Sequence, residues 1–287
     1  MASEMSLRKL VCAGAISFAL GIVFAPVAEA TPCRHPAGPG LGDPGVAGAT
    51  ALRGELCRLR QTSDASAVIA NVKHSGTFDI EFAAWTFDLS RARLEVVSTS
   101  DVAGETVDAF RHRTGAALVI NGGFFDFGPQ HEIRPVGLLI EKGRIKKPLS
   151  RALSGTLLIN GRQVELLATP SVVTAIGYTS GLQSKPLLVD PGNKIGMRSN
   201  DGVRVPRSAI CMPDERHVTV IYAGQSGLSL FELATLLQAP ADSGGFGCDV
   251  ALNLDGGPST QVSGTVDGAA FERLAQHVAN AIVVYDH

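Results

Sequence analysis

Two stretches of this chain each carry a strand of buried type straight into a pair of glycines. The first is Ala116 to Ile120, followed by Asn121-Gly122-Gly123-Phe124-Phe125-Asp126. The second is Asp249 to Leu254, followed by Asp255-Gly256-Gly257-Pro258-Ser259-Thr260. A continuous apolar run such as the first is the mark of a strand covered on both faces, so any fold must supply layers above and below it. Paired glycines at a strand end let backbone come close to a neighbour or ligand where a β-carbon would intrude. Strand-end loops held by a rigid scaffold are also where functional groups gather.

The surrounding pattern mixes strands and helices. Phe78 to Leu89 places apolar residues at Phe78, Ile80 and Phe82 and then at Trp85 and Phe87, which predicts a strand with one buried face. Arg93 to Thr99 reads as a strand and Gly104 to Arg113 as a short helix. Two hairpins are expected, Gly137–Glu141 turning through Lys142-Gly143 and Gly155–Ile159 turning through Asn160-Gly161. Arg216 to Ala223 is another buried-type strand, and Ala281 to Tyr285 closes the chain. Ser229 and Glu232 form a capping box ahead of Leu230, Phe231, Leu233, Leu236 and Leu237, which sets the start of a helix. Strands outnumber helices and many are hairpin-linked. The expectation is therefore an α+β fold, a single domain with a mixed, largely antiparallel sheet and a few packed helices.

At the N-terminus, Arg8 and Lys9 precede an apolar run from Leu10 to Val27 that ends in Ala28-Glu29-Ala30. That layout predicts a cleaved signal peptide over 1–30 and a protein exported to the periplasm or secreted, with no stable membrane insertion once the signal is gone. Residues 31–66 read as a Pro/Gly/Ala-rich lead-in, with 50–61 forming a short helix or packing on the domain; the folded domain spans 67–287. Removing 1–30 takes out Glu4, Glu29, Arg8 and Lys9, so the net charge of −2 is unchanged. A near-neutral exported domain has no electrostatic footprint for nucleic acid. Of five cysteines, Cys12 leaves with the signal, and the simplest disulfide pairing of the remaining four is Cys33–Cys57 with Cys211–Cys248.

Physically, the two glycine turns suit an anion and sugar pocket. Glycine-rich turns aim backbone N–H groups at phosphate oxygens, and two carboxylates divide acid and base or nucleophile roles at a glycosidic bond. Arg134 and Arg207 are candidate phosphate clamps through the guanidinium fork. His74, His112, His131, His217 and His277 lack ligand spacing, no C-x-x-C pair is present, and neither a metal nor a cofactor is expected. His131 and Glu132 nevertheless lie only a few residues beyond the first glycine turn. Trp85 reads as core, the basic tip Lys142, Arg144, Lys146 and Lys147 as a solvated face, and Asp190 and Asp201 as turn formers.

The segments INGGFFD (120–126), PVGLLIEKGRI (135–145), VPRSAICMPDERHVTVIYAG (205–224), GLSLFELATLLQ (227–238) and CDVALNLDGGPSTQV (248–262) resemble the phosphodiester glycosidase family. Its members include a lysosomal hydrolase of mannose 6-phosphate tagging and bacterial exopolysaccharide-related proteins. The resemblance covers most of 67–287. It implies hydrolysis of a sugar-1-phosphodiester at the glycosidic bond, with a small-molecule or glycan substrate carrying that group. It carries Asp255 and Asp126 over as site residues; catalysis at the anomeric centre is then expected of Asp255, assisted by Asp126 or by Glu132, which lies just beyond the first glycine turn. Substrate binding falls to Asn121, Gly122, Gly123, Arg207, Gly256, Gly257, Ser259 and Thr260, and Arg134 joins them as a candidate on its guanidinium chemistry alone. The chain departs from the family pattern at Pro258, where a third glycine is common, and at Gln276-His277-Val278, where an Arg-x-Val setting is usual. Two alternatives stand beside this reading. One is a metal-dependent phosphodiesterase using Asp126 and Asp255 as oxygen ligands; the other is a non-catalytic exopolysaccharide-binding or assembly module.

Overall fold

The computed structural model describes residues 46–60, 66–74, 78–172, 174–266 and 269–286. The expected signal at 1–30 and Cys33 fall outside them. In chain order the elements begin with α1 (Ala47–Arg60), β1 (Ala67–His74), β2 (Phe78–Asp88), β3 (Arg93–Ser98), α2 (Val107–Thr114) and β4 (Leu118–Asn121). Next come β5 (Phe125–Phe127), β6 (Ile133–Pro135), β7 (Leu139–Glu141), β8 (Arg144–Lys147), β9 (Gly155–Asn160), β10 (Gln163–Ala168) and β11 (Ser180–Ser184). They are followed by β12 (Leu187–Asp190), β13 (Lys194–Ile195), β14 (Val205–Asp214), β15 (His217–Leu228) and α3 (Leu230–Gln238). The chain ends through β16 (Val250–Asn253), β17 (Val262–Val266), β18 (Ala269–Arg273) and β19 (Asn280–Tyr285). The fold is α+β and mostly β, as expected. The strands, however, form several sheets rather than one. A seven-stranded sheet runs β1-β2-β15-β14-β16-β12-β13, and two five-stranded sheets run β10-β9-β11-β7-β8 and β18-β17-β4-β19-β3. β5 and β6 make a separate ribbon. The strand pairings are antiparallel throughout.

Side-chain alternation explains how the layers stack. On β2, Ala83, Trp85 and Phe87 point into a core shared with Ile120, Leu157, Leu182, Ile210, Leu252 and Ile282, which come from all three large sheets. Ile80, Phe82 and Ala84 point the other way, onto Leu52 and Leu56 of α1 and Leu233, Leu236 and Leu237 of α3. The strand is thus buried on both faces rather than one. The change of parity between Phe82 and Trp85 marks two apolar faces, and the pairing of β2 with β15 runs through it without a bulge. α2 covers the outer face of the third sheet, with Val107 and Phe110 against Val119, Ala281 and Val283. β4 therefore has Val119 on one side and Leu118 and Ile120 on the other, as its apolar run predicted.

Local chemistry sets the element ends. α2 starts at Val107 rather than Gly104, because Gly104 has φ of 83° and Thr106 caps the helix by accepting from the Ala109 N–H at 3.4 Å. Lys142 and Gly143, with φ of 51° and 73°, make the two-residue turn between β7 and β8. In the next hairpin Asn160 pairs with Gln163, so the turn is Gly161-Arg162, one residue beyond the expected Asn160-Gly161. The capping box at Ser229 and Glu232 forms as read. Glu232, fully buried, also accepts from the Gly48 N–H at 2.9 Å and from Arg204 at 2.6 and 2.8 Å, which ties α1 to α3. The 47–60 segment is thus a helix packed into the body. A disulfide joins Cys211 to Cys248, and Cys57 is also disulfide-bonded.

Candidate active site

The two glycine turns meet. β4 and β16 lie in different sheets, yet the Asp255 N–H donates to the Gly122 carbonyl at 3.0 Å. The Asn121 amide donates to the Asp255 carbonyl at 2.8 Å. Asn121 is fully buried, and its oxygen accepts from Ser208 Oγ at 2.6 Å and from the Gln261 N–H at 3.1 Å. A buried amide so fully engaged fixes the geometry of both turns, since an unmatched polar group there would be costly. Asn121 acts as the hinge pin of the site.

Gly122 and Gly123 serve close packing rather than anion capture. Their N–H groups donate to the backbone oxygen and to Oδ1 of Asn280 at 2.9 and 2.8 Å, so they are not aimed at a ligand. A β-carbon on Gly122 would sit 2.0 Å from Asn280 Oδ1, and one on Gly123 would sit 2.5 Å from the Gln183 carbonyl. The expected phosphate cradle at this turn is consequently replaced by a tight joint between sheets.

Asp255 and Arg207 come from neighbouring strands. Ala209 pairs with Asn253, and the Leu254 N–H bonds the Ser208 carbonyl at 2.9 Å. Continuing that antiparallel register sets Arg207 beside Asp255 on one face. Arg207 Nη1 lies 3.5 Å from where a β-carbon on Gly256 would stand. Burial raises the Asp255 carboxyl above its ordinary value, opposed by the Ser259 hydroxyl and by the Gly256 N–H, which donates to Oδ1 at 3.0 Å. Arg207 is half-buried, and its Nε and Nη2 donate to the carbonyls of Leu228 and Val203 at 3.1 and 3.2 Å. Burial lowers its pKa, against an opposing pull from the Asp201 carboxylate. No carboxylate forms an ion pair with Arg207 among the described residues, in contrast to Arg204, Arg134, Arg113 and Arg273.

The 3₁₀ turn Gly257–Ser259 closes this corner. Gly257 has φ of 59°, a conformation that favours glycine, and Pro258 follows it. Ser259 and Thr260 are both buried, and Thr260 Oγ1 has no hydrogen-bond partner among the described residues. Gln276 Nε2 donates to Ser259 Oγ at 2.9 Å.

The third group of expected residues sits apart on the β5–β6 ribbon. Asp126 is exposed and lies opposite Arg134 in register. Glu132 pairs with Arg134 and accepts from the Gln130 N–H at 2.9 Å. Its own backbone N–H, working with Gln130 and Arg134 against burial, holds it below the ordinary carboxylate range. Glu132 therefore stays ionised and is ill suited to donate a proton, while Arg134 has its charge largely answered by Glu132. His131 occupies the turn with φ of 61° and is exposed. Residues not anticipated from sequence complete the joint: Ser208, Gln261, Asn280 and Gln183. Each is a buried polar side chain on or beside an apolar strand, and that mismatch was their available signal.

The site thus places Asp255, its carboxyl pushed up by burial, and the half-buried Arg207 on adjacent strand ends. The chain belongs to the phosphodiester glycosidase family, whose sequence model matches residues 114–285, more than half of its length. Among solved structures it is similar to the catalytic domain of zebrafish N-acetylglucosamine-1-phosphodiester alpha-N-acetylglucosaminidase, auto-inhibited by its pro-peptide. That likeness has a TM-score of 0.57 at 12% identity, over 77% of this chain and 82% of that one. A hypothetical protein from Synechocystis matches at a TM-score of 0.54 and 18% identity, over 76% of this chain and 61% of that one. A protein described as exported, from Burkholderia pseudomallei, matches at 0.52 and 14%, over 72% and 74%. At these identities the likenesses show the fold. No curated protein sequence matches at a significant level.

Proposed function

We propose that the protein hydrolyses a sugar-1-phosphodiester at the glycosidic C–O bond, releasing free sugar and a phosphomonoester. The observation that carries this reading is the placement of Asp255 and Arg207 on adjacent strand ends at the junction of the two glycine turns. Cleavage between C1 and the bridging oxygen leaves the electron pair on phosphate, which gains one negative charge. A half-buried guanidinium already anchored by two carbonyls meets that charge as it forms, without reorganising. A phosphate monoester is a good leaving group, so the site has little need of a strong acid. Asp255 acts at the anomeric carbon as nucleophile or as the base for water, and a carboxyl raised by burial suits a base. Asp126, on the exposed ribbon, assists at most from the rim.

The Cys211–Cys248 disulfide supports export to an oxidising compartment, and no helix among the described residues is long and apolar enough to cross a membrane. The test is incubation of the mature protein with a panel of sugar-1-phosphodiesters in oxygen-18 water. Label in the sugar is the expected result. Label in the phosphate would overturn C–O cleavage in favour of a phosphodiesterase, and absence of turnover across the panel would favour a binding module.

A further inference from the structure

Two carbonyls set the direction of Arg207, and both belong to peptide units tied to one buried carboxylate. Arg207 Nε donates to the Leu228 carbonyl at 3.1 Å and its Nη2 to the Val203 carbonyl at 3.2 Å. The Leu228 carbonyl shares its peptide plane with the Ser229 N–H, which donates to Glu232 Oε2 at 3.0 Å. The Val203 carbonyl shares its plane with the N–H of Arg204. The guanidinium of Arg204 forks onto Glu232, Nε on Oε2 at 2.8 Å and Nη2 on Oε1 at 2.6 Å. The Gly48 N–H adds a bond to Oε1 at 2.9 Å. Glu232 is fully buried, so turning its carboxylate would break charge-assisted bonds that water is not there to replace. A helix cap accounts for the Ser229 contact; it does not account for the fork from Arg204. Nor does the β14–β15 ladder fix these peptides by itself, because its register breaks between Val205–Leu228 and Arg207–Ala223. With Nε and Nη2 held, Nη1 is the nitrogen turned to the Gly256 corner, 3.5 Å from where a β-carbon on that glycine would stand.

We propose that Glu232 is a positioning residue: through the 228–229 and 203–204 peptides it aims the Arg207 guanidinium at the Asp255 corner. The inference rests on the reading of Arg207 as the cation that meets the departing phosphate. A peptide unit is planar and stiff, so a turn at its N–H end swings the carbonyl at the other. Loosening the carboxylate therefore loosens both anchors of Arg207 together, while the strand that carries Arg207 stays in its ladder with β16.

The test is the Arg207 Nε–H signal in nitrogen-15 NMR of arginine-labelled protein, assigned by its loss in Arg207→Lys. Glu232→Gln keeps the shape and removes the charge; Arg204→Met removes the fork and leaves the helix cap in place. Both variants shift the signal and speed exchange of that proton with solvent by about tenfold, the scale of one charge-assisted hydrogen bond. Phe110→Leu is the control: it loosens the core beneath α2, which these bonds do not touch, and leaves the signal where the wild type has it. On a sugar-1-phosphodiester that the wild type cleaves, kcat falls about 10- to 100-fold in both variants with a smaller change in KM. A wild-type signal and exchange rate in either folded variant overturns the proposal, as does an equal change in Phe110→Leu. If one variant fails to fold, the other decides. The NMR reading needs no turnover, so a wild-type protein that cleaves no sugar phosphodiester sinks the proposed function and leaves this result standing.

Discussion

Replacing Arg207 with alanine tests the charge arrangement most directly. In the proposed reaction the phosphate goes from one negative charge to two as the C1–O bond breaks, so a fixed cation binds the transition state better than the ground state. Loss of one preorganised donor aimed at developing charge typically costs about 10²- to 10³-fold in rate. Three features place Arg207 toward the upper figure. It is half-buried, it is held by the Leu228 and Val203 carbonyls, and it forms no ion pair among the described residues, Asp201 acting on it only through the field. The expectation is a fall of about 10³-fold in kcat with a smaller change in KM, measured on a sugar-1-phosphodiester that the wild type cleaves. Arg207→Lys retains the charge but not the two anchoring bonds or the fork, and should fall by about 10- to 100-fold. Added guanidinium ion should restore part of the alanine variant's rate. Retention of kcat within about threefold of wild type, or a loss confined to KM, would refute the role given to this cation.

Other outcomes follow from the same geometry. Asp255→Asn should abolish turnover by at least about 10³-fold and yet raise the urea midpoint at pH 7. Burial holds the folded carboxyl above its ordinary value, so its ionised form opposes folding; that opposition, and hence the gain from asparagine, shrinks as pH falls through the folded pKa. Glu232→Gln should lose about 3 kcal/mol at neutral pH by depriving Arg204 of its buried carboxylate. Although burial pushes Glu232 up, the bonds from Arg204, Ser229 and Gly48 hold it below its ordinary 4.5, so the gap should close as pH drops below that value and through the folded pKa. A constant gap in pH-dependent urea melts would contradict the buried ion pair. Gly123→Ala would force a β-carbon against the Gln183 carbonyl and should cost about 1–3 kcal/mol in the same assay.

Local features were legible in the sequence where chemistry is local. The Ser229–Glu232 box, the Lys142-Gly143 turn and the double-faced strand expected at Ala116–Ile120 depend on a few adjacent residues; the first two form as read, and the strand forms at Leu118–Asn121. Misplacements arose where neighbours decide: the turn at Gly161-Arg162 is set by pairing across β9 and β10, and the two-faced burial of β2 by α1 and α3 arriving from either end of the chain. The division into several sheets was not legible, because β4 pairs with β17 and β19 while β16 pairs with β14 and β12, all distant in sequence. For the site, the glycine turns were evident, but their roles differ. Gly122 and Gly123 pack against Asn280 and Gln183, partners no local pattern links to them.

The Cys211–Cys248 bond has a consequence beyond holding a loop. Cys211 lies on the strand that delivers Arg207, and Cys248 stands just ahead of the strand that delivers Asp255. The cross-link therefore adds a covalent tie to the ladder bonds and packing that set the offset of the two strands carrying guanidinium and carboxylate. A thiol-rich milieu that opened it would leave that offset to the ladder bonds and the apolar layers, a looser setting for two groups whose separation matters.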